Sequence, residues 1–268
     1  MPDHLPLIVL DKSYAQAVPA AELTLLGERF VVLVPNAFYW EVFRNEPEKR
    51  SHALKGFPEF RRIHLPELLR KETRSGMPVV EANQPRLEFA SMVLEPGWTM
   101  TPEQLQVMED YRQAFIDPSV AFWMKTIAGH VPGFTEPEND SVLNSDQAFL
   151  DLCHELRNPA RVRRVAKAIG YKHADRLDPS WFHYRLYQTM AFQGIVLRWR
   201  LKGSTEKANP VRLKERLEHD ALDLEYLLLG LLVGRLATAE TSDKLAKASM
   251  GWRFKLLEPQ ADLLSPNR

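Results

Sequence analysis

The sequence predicts an α/β fold: a parallel sheet built from the two ends of the chain, with a mostly helical segment inserted between them. Three observations predict it. Short continuous apolar runs rich in β-branched residues, LIVL at 7–10 and FVVLV at 30–34, read as strands buried on both faces. Each run is followed by helical spacing, and a β-α-β-α order implies parallel pairing. Towards the other end a long apolar helix, HDALDLEYLLLGLLVG, breaks at Gly234 and delivers the chain into a strand-like LATA.

With 268 residues and 45% hydrophobic content, the chain can bury a large core. It has no apolar run of the ~18 residues that a membrane span needs. MPDHLPLIVLD reaches an aspartate without a basic leader, so no secretory signal is expected, and a cytoplasmic protein without a membrane partner is. The single cysteine, Cys153, excludes an internal disulfide framework and a cysteine-rich zinc site. It reads as a small buried residue. Neither GxGxxG nor GxxxxGK occurs, which argues against a nucleotide cofactor.

In chain order, LIVL ends at Asp11, which is left at the strand's C-terminal edge while Ser13 is placed to cap the helix that follows. Pro19 marks a helix start or kink within 13–28. After FVVLV, Pro35 and Asn36 punctuate the chain, and AFYWEVF puts Phe38 and Val42 on one helix face with Glu41 beside them. From about 45 the α/β rhythm fades, and HLPELLRKE is a short helix. TPEQLQVMEDYRQAF starts a helix with Pro102 in its first turn. SDQAFLDLCHELRN and NPARVRRVAKAIG are two helices split at Asn158 and Pro159, the second ending at Gly170. In that second helix Val162, Val165 and Ile169 form the side expected to be buried. DPSWFHYRLYQTMAFQGIVLRWRLKGS is a long helix whose aromatics, Trp181, Tyr184, Tyr187, Phe192 and Trp199, read as core. A short helix, Gly251 and a strand over 252–256 complete the frame. The expected division is therefore an α/β core from 1–60 and 215–268, and a helical insertion over 61–214.

Net charge is zero, but it is unevenly distributed. Residues 89–151 carry ten acids against two bases, and 154–218 carry fifteen bases against six acids. The two segments either neutralise each other or leave a surface for a polyanion.

Acidic residues stand at the ends of elements: Asp11 after the first strand, Glu41 on the helix after the second, Asp220 and Asp223 at the start of the late helix, and Glu240 and Asp243 after LATA. Carboxylates gathered at one sheet edge repel one another unless a divalent cation lies between them. All-oxygen ligands suit Mg²⁺ or Mn²⁺, and such an ion supplies the activated water and charge neutralisation that phosphodiester hydrolysis needs. Single acids have plainer readings. Glu41 and Asp220 can be helix N-terminal charges, and Asp243 a helix cap. His154 and His219 form no HxxxH pair and read as ordinary histidines.

LIVLDKS, LVPNAFYWEV and HDALDLEYLL followed by a strand with threonine resemble, in that order, the PIN-domain nuclease family. The resemblance covers both ends of the chain and not the middle. It implies a three-layer α/β/α core and a nuclease, more readily a ribonuclease than a deoxyribonuclease, using Mg²⁺ or Mn²⁺. Asp11, Glu41 and Asp223 correspond to metal-binding, catalytic acids, with Ser13 and Thr238 in support. For the fourth acid, Glu240 stands where the family shows aspartate and Asp243 lies three residues on; Asp220 competes with Asp223 for the same helix face. Arg161, Arg163, Arg164 and Lys167, with Arg157, or else Arg198, Arg200 and Lys202, would contact nucleic-acid phosphates. The alternative is a noncatalytic module of the same shape whose insertion binds RNA or a protein partner. A homodimer is left open.

Overall fold

The structure, a computed structural model, describes residues 5–44, 60–79, 88–89, 101–127, 146–201, 209–239, 248 and 251–259. Glu240, Asp243 and Lys202, and the side chains of Arg198 and Trp199, lie outside the described residues.

The fold is mixed α/β. Its six-stranded sheet has the order β4-β3-β2-β1-β5-β6, formed by β1 (Leu7–Leu10), β2 (Val31–Val34), β3 (Arg61–Arg62), β4 (Glu88–Phe89), β5 (Arg235–Ala237) and β6 (Lys255–Leu257). All neighbours pair in parallel except β3 with β4. The register sets Val9 against both Leu33 and Leu236, so β1 is the central strand. Ile8, Val9 and Leu10 and all of β2 are buried, which requires cover on both faces and accounts for apolar runs that do not alternate.

Asp11, rather than Ser13, caps α1 (Lys12–Ala17): its carboxylate accepts the Ser13 N–H, leaving the Ser13 hydroxyl for other work. Pro19 caps α2 (Ala20–Arg29), consistent with the helix start expected there. α3 (Asn36–Arg44) follows β2, and α4 (Leu65–Ser75) is the short helix of HLPELLRKE. The helix from Pro102 runs further than its polar first half suggests. α5 (Pro102–Tyr111) passes through a π-helical turn, Arg112–Ile116, into α6 (Asp117–Ile127). α7 (Asp146–Glu155), α8 (Pro159–Ile169) and α9 (Phe182–Arg200) lie where the sequence put them. The final strand is β6, a little later than 252–256, because Trp252 and Phe254 are buried ahead of it.

One expectation is overturned at the late helix. α10 (Pro210–Val233) begins two to three turns before Asp220, with Asn209 as its cap, so Asp220 and Asp223 sit in mid-helix and neither is an N-terminal dipole charge. PVRLKERLE is polar and conceals this start, but Leu213 and Leu217 are buried and continue the apolar stripe backwards.

β3 and β4 come from the segment expected to be an insertion. α9 packs on α4, α6, α8 and α10, and α10 packs in turn on β1 and β5, so sheet and helices share one continuous core. Its largest members, Trp123, Trp181 and Tyr111, are fully enclosed, and burial of a large apolar side chain contributes ~1.5–3 kcal/mol. Among the described residues no helix is long and apolar enough to cross a membrane.

Candidate functional site

The strand order fixes where a site can lie. The chain adds β2 and β3 on one side of β1 and returns to place β5 and β6 on the other, so the order reverses between β1 and β5. The C-terminal ends of strands at such a reversal leave a crevice. Asp11 follows β1 there and Thr238 follows β5, and the Asp11 N–H donates to the Ala237 carbonyl at 2.9 Å.

The Asp11 carboxylate, 9% exposed, is held by three donors. Oδ1 accepts the Ser13 N–H at 3.1 Å, and Oδ2 accepts the Ser13 and Thr238 hydroxyls, each at 2.6 Å. The Ala239 N–H donates to Ser13 Oγ at 3.0 Å, so the serine proton is directed at Asp11. Both supporting residues read from the sequence thus touch the first acid.

Glu41 reaches the same region from α3. Its Oε1 pairs with Lys12 Nζ at 3.3 Å and its Oε2 accepts the Tyr226 hydroxyl at 2.8 Å. The start of α3 is fixed from a distance by Glu225 of α10. This fully buried carboxylate accepts the Ala37 N–H at 2.7 Å, the Asn36 N–H at 3.4 Å and the Tyr111 hydroxyl at 2.7 Å. A helix N-terminus of unpaired donors is therefore satisfied by a remote anion.

Asp223, about a quarter exposed, lies one turn from His219, whose Nδ1 is 3.7 Å from Asp223 Oδ2. Burial raises the Asp11 pKa, against the Ser13 and Thr238 hydrogen bonds, and the charge of Asp223 raises it further. Burial likewise raises Glu41; Lys12 and Tyr226 oppose this, and Asp11 and Asp223 both add to it. The His219 imidazole is pushed up to about 9 by its close pairing with Asp223, against partial burial, and further by the charges of Asp223, Glu41 and Asp220. Asp11 and Glu41 thus both feel the charge of Asp223, and Glu41 that of Asp11, across three elements remote in sequence.

Asp220 is not one of them. Its Oδ2 takes Arg200 Nη2 at 3.1 Å, a part-buried ion pair that ties α10 to α9 and turns the carboxylate to the helix's other neighbour. Arg200, one of the candidate phosphate contacts, is spent in the same pair. Among the described residues no three His, Cys, Asp or Glu side chains gather closely enough to hold a metal ion as they stand.

The basic stripe of α8 is also partly committed. Arg163 Nε donates to the Leu177 carbonyl at 2.7 Å, closing the turn after the short 3₁₀ segment Ala174–Arg176. Arg161 pairs with Glu155 and Lys167 with Asp175, both local acids outside 89–151. Arg157 and Arg164 are exposed. The buried side of α8 is Val162, Val165 and Ala166, while Ile169 is 40% exposed, contrary to expectation.

Sequence reasoning missed Lys12, Tyr226, Glu225 and His219. The last was legible, since a histidine four residues before an aspartate shares its helix face. The contacts of Tyr226 and Glu225 join residues 185 and 188 positions apart and have no local signature. Cys153 is buried, and burial pushes its thiol up to about 12. Comparison of the chain with family models, curated proteins and solved structures finds no match.

Proposed function

We propose that the crevice between β1 and β5 is the hydrolytic centre of a metal-dependent, PIN-like nuclease acting on RNA. The observation that carries this reading is the electrostatic coupling of Asp11 and Glu41 to Asp223 at the reversal of strand order, where Asp11 is buried and Glu41 part-buried, both with pKa values raised. Buried anions that raise one another's pKa create a demand for a cation. The donor set is all oxygen, which fits Mg²⁺ or Mn²⁺ held by a few carboxylates and water, not an all-protein cage. Asp11, Glu41 and Asp223 would hold it, and when bound it supplies an activated water and neutralises phosphoryl charge. Around it, Ser13 and Thr238 orient Asp11. Tyr226 orients Glu41, and the cationic His219 at the exposed mouth draws in a phosphate.

A second reading has its own observation. Each acid already has a protein donor, Lys12 serves as the counterion of Glu41, and no metal-binding group of three forms among the described residues. That arrangement suits a noncatalytic module. Calorimetric titration of Mn²⁺ and cleavage of an end-labelled single-stranded RNA decide between the two. The nuclease reading expects saturable Mn²⁺ binding, cleavage abolished by EDTA, and loss of both in Asp11→Asn and Asp223→Asn. RNA binding without Mn²⁺ binding or cleavage would establish the noncatalytic module.

A further inference from the structure

Ile169 ends α8 and continues the stripe of Val162 and Val165, yet it is 40% exposed. It lines a cavity of about 370 Å³, open on one side, bounded by α4, the π-helical turn with the start of α6, and α9. That volume lies within the ~300–1,000 Å³ range of small-molecule pockets. The walls are apolar: Leu69, Phe115, Phe122, Leu186 and Met190. The π-helical turn shapes one of them. Pro118 has no N–H, and its ring would crowd the Ala114 carbonyl in a regular helix; the turn widens instead, with the Asp117 N–H donating to the Arg112 carbonyl five residues back. Ala114 and Phe115 then face the cavity, and the small alanine leaves room in it.

Charge is distributed unevenly around this space. Arg70 and Arg74, one turn apart on α4, both line it and both are exposed. The two acids of α4 are engaged elsewhere. Glu67 pairs with Lys71 at 3.0 Å, and the fully buried Glu72 accepts the N–H groups of Phe182 and His183 at 2.7 and 2.9 Å. Glu72 also takes His183 Nδ1 at 2.8 Å. A carboxylate only accepts, so that nitrogen carries a proton, and His183 Nε2 lies 3.3 Å from the Thr73 hydroxyl. The polar floor is thus internally paired, and the open positive charge lies on the α4 side.

We propose that this cavity binds a small amphipathic anion, with one apolar chain among the walls and a single carboxylate or phosphate head on Arg70 and Arg74. The site is separate from the carboxylate crevice and does not rest on the nuclease reading. The test is calorimetry on the full chain with octanoate, hexanoate, octyl phosphate and 1-octanol. Octanoate or octyl phosphate binds saturably, and the tighter of the two identifies the head. Each methylene removed weakens binding about fourfold, so hexanoate binds about sixteenfold more weakly than octanoate. Octanol binds at least tenfold more weakly than the anions. Arg70→Gln with Arg74→Gln removes that tenfold preference and leaves octanol binding and thermal unfolding unchanged. Ala114→Phe fills the space and abolishes binding of all four probes. Absence of saturable binding by both octyl anions, or full anion affinity in the double arginine variant, overturns the proposal. Self-association that Ala114→Phe abolishes would identify a second copy of the chain as the occupant, and also overturns it.

Discussion

Two hydroxyls and one N–H converge on the Asp11 carboxylate, and even so burial prevails and its pKa is raised. The direction fixes the pH dependence. A carboxyl whose folded pKa lies above its unfolded value binds its proton more tightly in the native state. Its contribution to stability is full below the ordinary carboxylate range and is lost as pH climbs through the raised value. Glu41 acts in the same sense. Without metal, the wild type should therefore lose stability relative to Asp11→Asn as pH rises above the ordinary carboxylate range, as followed by thermal unfolding. Parallel pH profiles for the two proteins would show that Asp11 is already satisfied when ionised. His219 also loses its contribution as pH rises, but through attraction to a neighbour rather than burial. With its pKa at about 9, its attraction to Asp223 is present at neutral pH and fades as pH rises through that value. The imidazole is more than half exposed, so water screens the pair and its weight in stability is small. Its NMR titration midpoint should fall to the ordinary histidine range in Asp223→Asn; a wild-type midpoint already there would dissolve the pair.

Two helices in this fold begin on a glutamate that belongs to another helix. Glu225 of α10 receives the first N–H groups of α3, and Glu72 of α4 receives those of α9. Neither is visible in the sequence. A glutamate inside DLEYLLLG or RKETRS reads as a solvated residue, because a helix pattern records its own periodicity and not the neighbour that its side chain reaches. Glu225 also positions Glu41, since both the capped helix start and the Tyr111 hydroxyl depend on it. Glu225→Ala would leave a buried amide and a buried phenol without an acceptor. The expected loss is about 2–4 kcal/mol in urea unfolding, with Glu41 displaced from Tyr226. A loss under about 1 kcal/mol would mean that water replaces the carboxylate at no cost. The contrast with the start of α8 is informative. There Asn158 caps its own helix at Ala160 N, and Pro159 followed eleven residues on by Gly170 made both ends readable.

At the scale of the whole molecule, the basic segment is less free than its composition suggests. Arg163 is spent on a backbone carbonyl and Arg200 on Asp220, while Arg164 is exposed and Lys167 has only a solvent-facing partner. If α8 is the nucleic-acid track, Arg164→Gln with Lys167→Gln should flatten the log–log salt dependence of single-strand binding by about 1.4, at ~0.7 per lost phosphate contact. Arg163→Gln should change stability and leave that slope alone. An unchanged slope in the double variant would retire α8 as the track.

The residues by themselves determined the α/β class, the two N-terminal strands, the placement of Asp11 at a strand end, and the helix boundaries marked by proline and glycine. Each of these is written in local periodicity or in the backbone demands of one residue, which act wherever the chain lies. Only the tertiary structure decided that β3 and β4 join the sheet from the middle of the chain, that Asp220 turns to Arg200 while the charge of Asp223 reaches Asp11 and Glu41, and that Glu225 sets the start of α3. A two-residue strand has no pattern to read. Whether a carboxylate meets a guanidinium or another carboxylate depends on which element packs beside it, and that follows from burial of the whole core rather than from any stretch of sequence.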